Sequence, residues 1–252
     1  MDDIGIHNLS FSYPAGRKAL DSIQLSVKSG SKVAVIGPNG AGKSTLLLHL
    51  NGILRGAGSV TIAGQEILPS SLRAIRSLIG MVFQDPDDQL FSPTVFDDVA
   101  FGPLHMGLPA QDIRLRVSRA LADVGMSGFE LEMPHRLSLG EKKRVAIATV
   151  LAMQPRILVL DEPSAGLDPR TRRNLIELLY GLPQTMIIAS HDMRLVWELC
   201  PETIVLDGGQ IVAAGETREL LSNKTLMEEH GLESLLPTGE YLVVWDQGSK
   251  PR

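Results

Sequence analysis

The sequence holds a single cysteine, Cys200, so no disulfide can close within the chain, a usage that suits a reducing compartment. It lacks any apolar run near the ~18 residues that a bilayer-spanning helix requires. The longest, residues 145–153, is about half that length, so a role at a membrane would need another protein as anchor. There is no basic surplus either. With 24 Lys and Arg against 29 Asp and Glu, the net charge is −5, which argues against a nucleic-acid partner, whose phosphates call for a basic face. Asp2 and Asp3 make the start acidic where a secretory leader would be basic, so none is expected. No internal repeat, low-complexity tract or heptad run is visible, and no cluster of His, Cys, Asp and Glu has metal-ligand spacing. What is left is ordinary globular material. The 252 residues, 44% hydrophobic and 21% charged, suffice for one large α/β domain with its own core.

The most informative stretch is Gly37-Pro38-Asn39-Gly40-Ala41-Gly42-Lys43-Ser44-Thr45. It fits the phosphate-loop pattern G-x-x-x-x-G-K-[ST], and its context is the required one. The apolar run 32–36 before it reads as a buried parallel strand, and the Leu-rich run 46–50 after it opens a helix. A strand, a glycine turn and a helix N-terminus form an anion site, because backbone N–H groups converge there and the helix dipole adds positive charge. Gly37, Gly40 and Gly42 permit positive φ and a close backbone approach. Lys43 can reach β- and γ-phosphates, and the Ser44 hydroxyl can bind Mg²⁺.

The rest of the chain alternates. Residues 4–11 and 20–27 read as strands about a turn at 14–16, with short strands at 60–62 and 80–83. Helical spacing runs through 96–126 and again from 139. The strand 157–160, helix 171–179, strand 186–189 and helix 193–199 follow, and 204–206 pairs with 210–212 as a hairpin about 207–209. Such alternation implies right-handed βαβ units on a mostly parallel sheet. Signals fade from about residue 232.

Two further motifs carry chemistry. The apolar run 157–160 ends in Asp161 and Glu162, which places both carboxylates at the C-terminal edge of the sheet, where ligands of open α/β folds sit. Asp161 would hold Mg²⁺, through water, and Glu162 would orient or deprotonate an attacking water. Ser138 and Glu141 have capping-box spacing at the start of the helix from 139. A well-capped helix accounts for that pair by itself, while Ser138 with Gly140 also makes a second anion site.

The order of these motifs resembles the nucleotide-binding subunit of ATP-binding-cassette (ABC) transporters across residues 4–232. Residues 37–45 match its Walker A loop, 157–162 its Walker B strand with glutamate, and 164–168 its D-loop. Residues 137–141 match its LSGGQ signature, with Leu139 in place of the usual Gly and Glu141 in place of the usual Gln. The resemblance implies a P-loop fold of ABC type, with a mostly parallel core sheet, an N-terminal antiparallel β part and a helical subdomain at about 96–152. It places the ATPase domain at 1–235 and a tail at 236–252. It implies ATP and Mg²⁺ as ligands, with Tyr13 stacked on adenine and Gln84 of the Q-loop near the metal and the reacting phosphate. Glu162 and the switch histidine His191 become catalytic, and Ser138 and Gly140 meet the phosphate of an ATP held by a second chain.

Residues 83–103 and 145–153 further resemble the energy-coupling-factor subfamily, in particular its cobalt and nickel members. That likeness implies a pair of ATPase subunits, most simply a homodimer. It also implies a transmembrane coupling protein and a small membrane substrate-binding protein, with this chain peripheral on the cytoplasmic face. The acids Asp85, Asp87 and Asp88 are then either a solvated turn or a surface for basic side chains of the membrane partner. The competing readings are an ABC importer for another nutrient, such as a vitamin, and an ABC ATPase outside transport.

Overall fold

The computed structural model describes residues 2–235 apart from 15 and 17, so the expected tail at 236–252 lies outside the described residues. The chain opens with two long strands, β1 (Asp2–Ser12) and β2 (Lys18–Lys28), paired antiparallel. β3 (Lys32–Ile36) then starts a second sheet and leads through the glycine loop into α1 (Lys43–Leu50). The chain returns to the first sheet as β4 (Ala57–Ile62) and β5 (Gln65–Glu66), giving the order β2-β1-β4-β5. After the short α2 (Leu72–Leu78), β6 (Ile79–Val82) joins the second sheet. Three helices follow without a strand between them: α3 (Val95–His105), α4 (Ala110–Asp123) and α5 (Leu139–Leu151). The chain then alternates through β7 (Ile157–Asp161), α6 (Pro169–Gly181), β8 (Thr185–Ala189), α7 (Met193–Leu199), β9 (Glu202–Asp207) and β10 (Gln210–Glu216). Helices α8 (Thr217–Ser222) and α9 (Lys224–Glu229) end the described part.

The second sheet runs β10-β9-β3-β8-β7-β6, parallel throughout except for the β9–β10 hairpin. Period two explains how it holds the fold together. Val33, Val35, Ile157, Val159 and Ile187 point to one face, into a core shared with α1 and the first sheet. Ala34, Ile36, Leu158, Leu160 and Ile188 point to the other, into a core shared with α3 to α7. Both faces are covered, which is why these strands read as continuous apolar runs. Asp3, fully buried on β1, locks the first sheet to the second. Its carboxylate pairs with Arg156 (2.6 Å) and accepts the Thr185 hydroxyl. Burial alone would push this carboxyl up, but the bonds from Thr185, Arg156 and Ser29 outweigh it and hold it below its usual range.

The strands read from the sequence are present, the helical stretch expected over 96–126 is split into α3 and α4, and β5 and the helices α2, α8 and α9 were missed. Each of these helices is at most seven residues and buries one or two side chains, such as Ile75 in α2 and Met227 in α9. So short an apolar pattern has no measurable period.

Candidate active site

Parallel strands end at one edge of the sheet, and there the chemistry collects. β6, β7, β8 and β3 lie side by side. The residues that follow them are Gln84, then Asp161 at the end of β7 with Glu162, then His191, and the loop from Gly37.

The loop is built as the pattern requires. Gly37, Gly40 and Gly42 all have positive φ. Two of them have no room for a side chain: a Cβ would lie 2.0 Å from the Leu206 carbonyl oxygen at Gly37 and 2.5 Å from that of Ala19 at Gly42. Gly42 is the N-cap of α1 and supplies no side-chain cap, so the first N–H groups of this helix remain available to an anion. Lys43 is buried and curls back over the loop, its Nζ donating to the carbonyls of Gly37 (2.8 Å) and Pro38 (3.2 Å). An ammonium has three donors, so one is left for a phosphate. The Tyr13 and Thr45 hydroxyls bond at 3.1 Å, and Phe11 meets the Tyr13 ring edge-on, which leaves the ring half-exposed beside the loop.

Asp161 is buried, and its Oδ1 has no protein partner. Burial pushes the carboxyl above its usual range, with Glu162 adding to the rise, while the Ser44 hydroxyl and the Lys43 and Lys143 cations oppose it. An unused buried oxygen costs ~1–3 kcal/mol, and here it stands beside a hydroxyl in an all-oxygen set. That donor set suits Mg²⁺.

Glu162 sits in the left-handed region, φ 45°, which is strained for a residue with a side chain. Several bonds hold it there. Its N–H donates to Ala189 (2.9 Å), and its carbonyl accepts from Ala165 N–H (3.1 Å) and from Lys143 Nζ (3.1 Å). Its Oε2 accepts the His191 backbone N–H (3.1 Å) and lies 2.7 Å from His191 Nδ1. The carboxylate is thus aimed by β8 and its following loop.

Tyr13, Asn39, Gly40, Gly42, Lys43, Ser44, Thr45, Gln84, Glu162 and His191 line one cavity of about 440 Å³. Asp161 borders it from an adjoining cleft that Gln84 also lines. Gly37, Pro38 and Ala41 form the loop's frame, with Gly37 and Ala41 buried. Ser138 and Gly140 do not line this cavity. They open α5, where Ser138 and Glu141 form a complete capping box: the Glu141 N–H donates to the Ser138 hydroxyl (3.4 Å) and the Ser138 N–H to Glu141 Oε2 (2.8 Å), which also accepts the Ser138 hydroxyl (2.6 Å). These bonds from Ser138 hold the Glu141 carboxyl below its usual range.

The glycine at 140 has a packing reason. A Cβ on Gly140 would lie 2.5 Å from Thr171 Cγ2 of α6, so a side chain there would push the two helices apart. Leu139 instead points outward against the D-loop, its Cδ2 2.9 Å from where Gly166 would carry a Cβ. Leu139→Gly is therefore expected to keep ATPase activity within about tenfold of wild type, ~1.4 kcal/mol of barrier. Steady-state turnover measures it, and a larger fall would show that the D-loop depends on this leucine.

Two residues of the site were not foreseen. Ala19 lines the cavity from the start of β2, and nothing in its local sequence marks it. Lys143 is buried, and burial lowers its ammonium pKa against the pull of Glu162, Asp85 and Asp161. A signal for it existed: Lys143, Ala146, Ile147 and Val150 share the buried stripe of α5, where a lysine is out of place.

Comparison with known proteins gives one answer. The family model described as ABC transporter matches residues 20–165. The energy-coupling factor transporter ATP-binding protein EcfA of Methanothermobacter thermautotrophicus is 50% identical over 235 residues, 91% of this chain and 76% of that protein. The solved structure of cbiO1 from Clostridium perfringens, part of the ABC transporter complex cbiONQ, is 39% identical with a TM-score of 0.81, covering 90% of this chain and 94% of that one. An ATP-binding cassette solved as a dimer in a post-hydrolysis state with ADP and Pi is 27% identical with a TM-score of 0.76, covering 85% and 98%.

Proposed function

Starting from a chain that belongs to the ABC transporter family and is an ATP-hydrolysing subunit, we propose that it powers uptake of cobalt or nickel through an energy-coupling-factor transporter. One observation carries the chemistry: Lys43, Asp161, Glu162 and His191 converge at one sheet edge, with an unused buried oxygen on Asp161. The likeness to EcfA and to cbiO1 supports the transporter class, and the choice of metal rests on the resemblance of residues 83–103 and 145–153 to cobalt and nickel members.

In this reading the loop amides and Lys43 bind the ATP phosphates, and Tyr13 stacks on adenine. Ser44, Asp161 and Gln84 would hold Mg²⁺, which supplies neutralising charge on the phosphates. Glu162 orients or deprotonates a water that attacks the γ-phosphorus. The bond to the bridging oxygen breaks, leaving ADP and phosphate, and the proton passes to Glu162 or to solvent. His191 steadies the Glu162 carboxylate. Ser138 and Gly140 face the ATP of a second copy packed head to tail, so nucleotide bridges the pair and hydrolysis releases it. Residues 1–235 act as one ATPase domain. The helices at 96–152 meet a transmembrane coupling protein, which works with a small substrate-binding membrane protein at the cytoplasmic face. Co-purification with those partners, followed by metal analysis and uptake of cobalt, nickel and vitamins, tests this reading. Uptake of a vitamin with no metal would sink it.

The acidic stretch at 85–88 is less open than its composition suggests. Asp85 accepts the Asp87 N–H (3.0 Å), and Asp87 pairs with Lys142 of α5 (2.6 Å). Asp87→Lys with Asp88→Lys should leave ATP binding intact, yet lower transport and the yield of co-purified membrane partner. Desolvated interface charges cost about 2–5 kcal/mol when broken, against ~0–1 for exposed pairs. Lys142→Ala is the control, since it removes the in-chain pair but keeps the acids. If it uncouples equally, the acids only position their own loop.

A further inference from the structure

The loop after β6 is fastened to α5 at three points. Gln89 Nε2 donates to the Ala146 carbonyl (2.9 Å) and to Thr149 Oγ1 (2.7 Å). Lys142 pairs with Asp87, as described above, and Lys143 Nζ donates to the Gln84 carbonyl (3.2 Å). Of the three, Lys143 also reaches the Glu162 carbonyl (3.1 Å), from a site only 5% exposed. One buried ammonium therefore joins the peptide of Gln84, the peptide of Glu162 and helix α5. Glu162 needs such a clasp, because its left-handed backbone is strained and persists only where surrounding contacts over-determine it. The helix that carries Lys143 is capped by Ser138, about one and a half turns away, so a displacement of its first turn reaches Nζ through a rigid element.

We propose that Lys143 is a positioning residue that holds Glu162 and Gln84 in register with α5, and so links the two ATP sites of the dimer. Contact between Ser138 and the nucleotide of the opposite chain seats α5. Through Lys143, α5 then seats the carboxylate that serves the chain's own nucleotide. A neutral apolar side chain at 143 would remove the cation's bond from the part-buried Gln84 carbonyl, leave the Glu162 carbonyl with the Ala165 N–H alone, and loosen the strained peptide. The proposal rests on the head-to-tail pairing given under Proposed function.

The test uses the full chain with Lys143→Met, Lys143→Gln and Lys143→Arg. Lys143→Met should lower kcat at least tenfold with KM for ATP within about threefold, and should flatten any sigmoid dependence on ATP. In a Glu162→Gln background it should still form the ATP-driven dimer on size exclusion. Lys143→Arg, which keeps charge and donors, should recover kcat to within about threefold. If Lys143→Met does not fold, Lys143→Gln, which keeps one donor group, should show an intermediate kcat. Three results overturn the proposal: a Met variant with kcat within twofold of wild type, an Arg variant as slow as the Met variant, or a fall in kcat matched by a rise in KM and a lower Tm. The underlying reading fails separately. If Glu162→Gln alone forms no ATP-driven dimer, the pairing itself is wrong, and the link between sites falls with it.

Discussion

Glu162→Gln is expected to lower ATP turnover by ~10²–10⁴-fold, the range for a positioned acid or base, while ATP still binds. The substitution keeps the size and removes the base. The structure says why the fold should tolerate it. Glu162 is fixed mainly through its backbone, by Ala189, Ala165 and Lys143, and a glutamine oxygen can still accept the His191 N–H. Two chains should therefore remain bridged by unhydrolysed ATP. Turnover by phosphate release and dimer mass by light scattering, both with ATP and Mg²⁺, check the two halves. Near-normal turnover would remove Glu162 from its assigned role, since no other carboxylate lines the cavity among the described residues.

Lys43→Ala should be the most damaging change to nucleotide binding. Hydrogen bonds to charged groups contribute about 1.5–3 kcal/mol each, so losing the phosphate contact alone should weaken ATP by roughly 10- to 100-fold. A second loss adds to it. Lys43 braces the loop by donating to the Gly37 and Pro38 carbonyls, and alanine leaves both without that donor. The loop amides should then be poorly aimed at phosphate as well. Titration with a fluorescent ATP analogue reads the affinity, and turnover at saturating ATP reads what remains. Lys43→Arg separates the parts: it keeps the charge, but its planar fork cannot serve the two loop carbonyls and a phosphate at once as the compact ammonium does. Unchanged affinity in the alanine variant would place the phosphates elsewhere.

Much of the site was legible as local pattern. The phosphate loop, the acids after β7 and the box at Ser138 are contiguous runs, and local geometry follows from local sequence. Other features were legible only in retrospect. Lys143 breaks the apolar stripe of α5, a conflict that usually marks a functional position. The acidic stretch at 85–88 reads either as a solvated turn or as a docking surface, and the structure shows Asp85 and Asp87 partly engaged by their own chain. Charge composition cannot reveal a partner 55 residues away.

The sequence by itself determined the α/β class, the strands of the core sheet and the strand–glycine loop–helix pattern at 32–50, because periodicity and turn residues act over a few positions. Only the tertiary structure decided the rest. The strand order β9-β3-β8-β7-β6 is not the order along the chain, and that order brings Gln84, Asp161, Glu162 and His191 to the loop at Gly37. It set the strained Glu162 against His191, turned Leu139 outward while Gly140 met Thr171, and buried Lys143 between two carbonyls. Each of these rests on contacts between residues far apart in sequence, formed when burial of both faces of the sheet selects one packing.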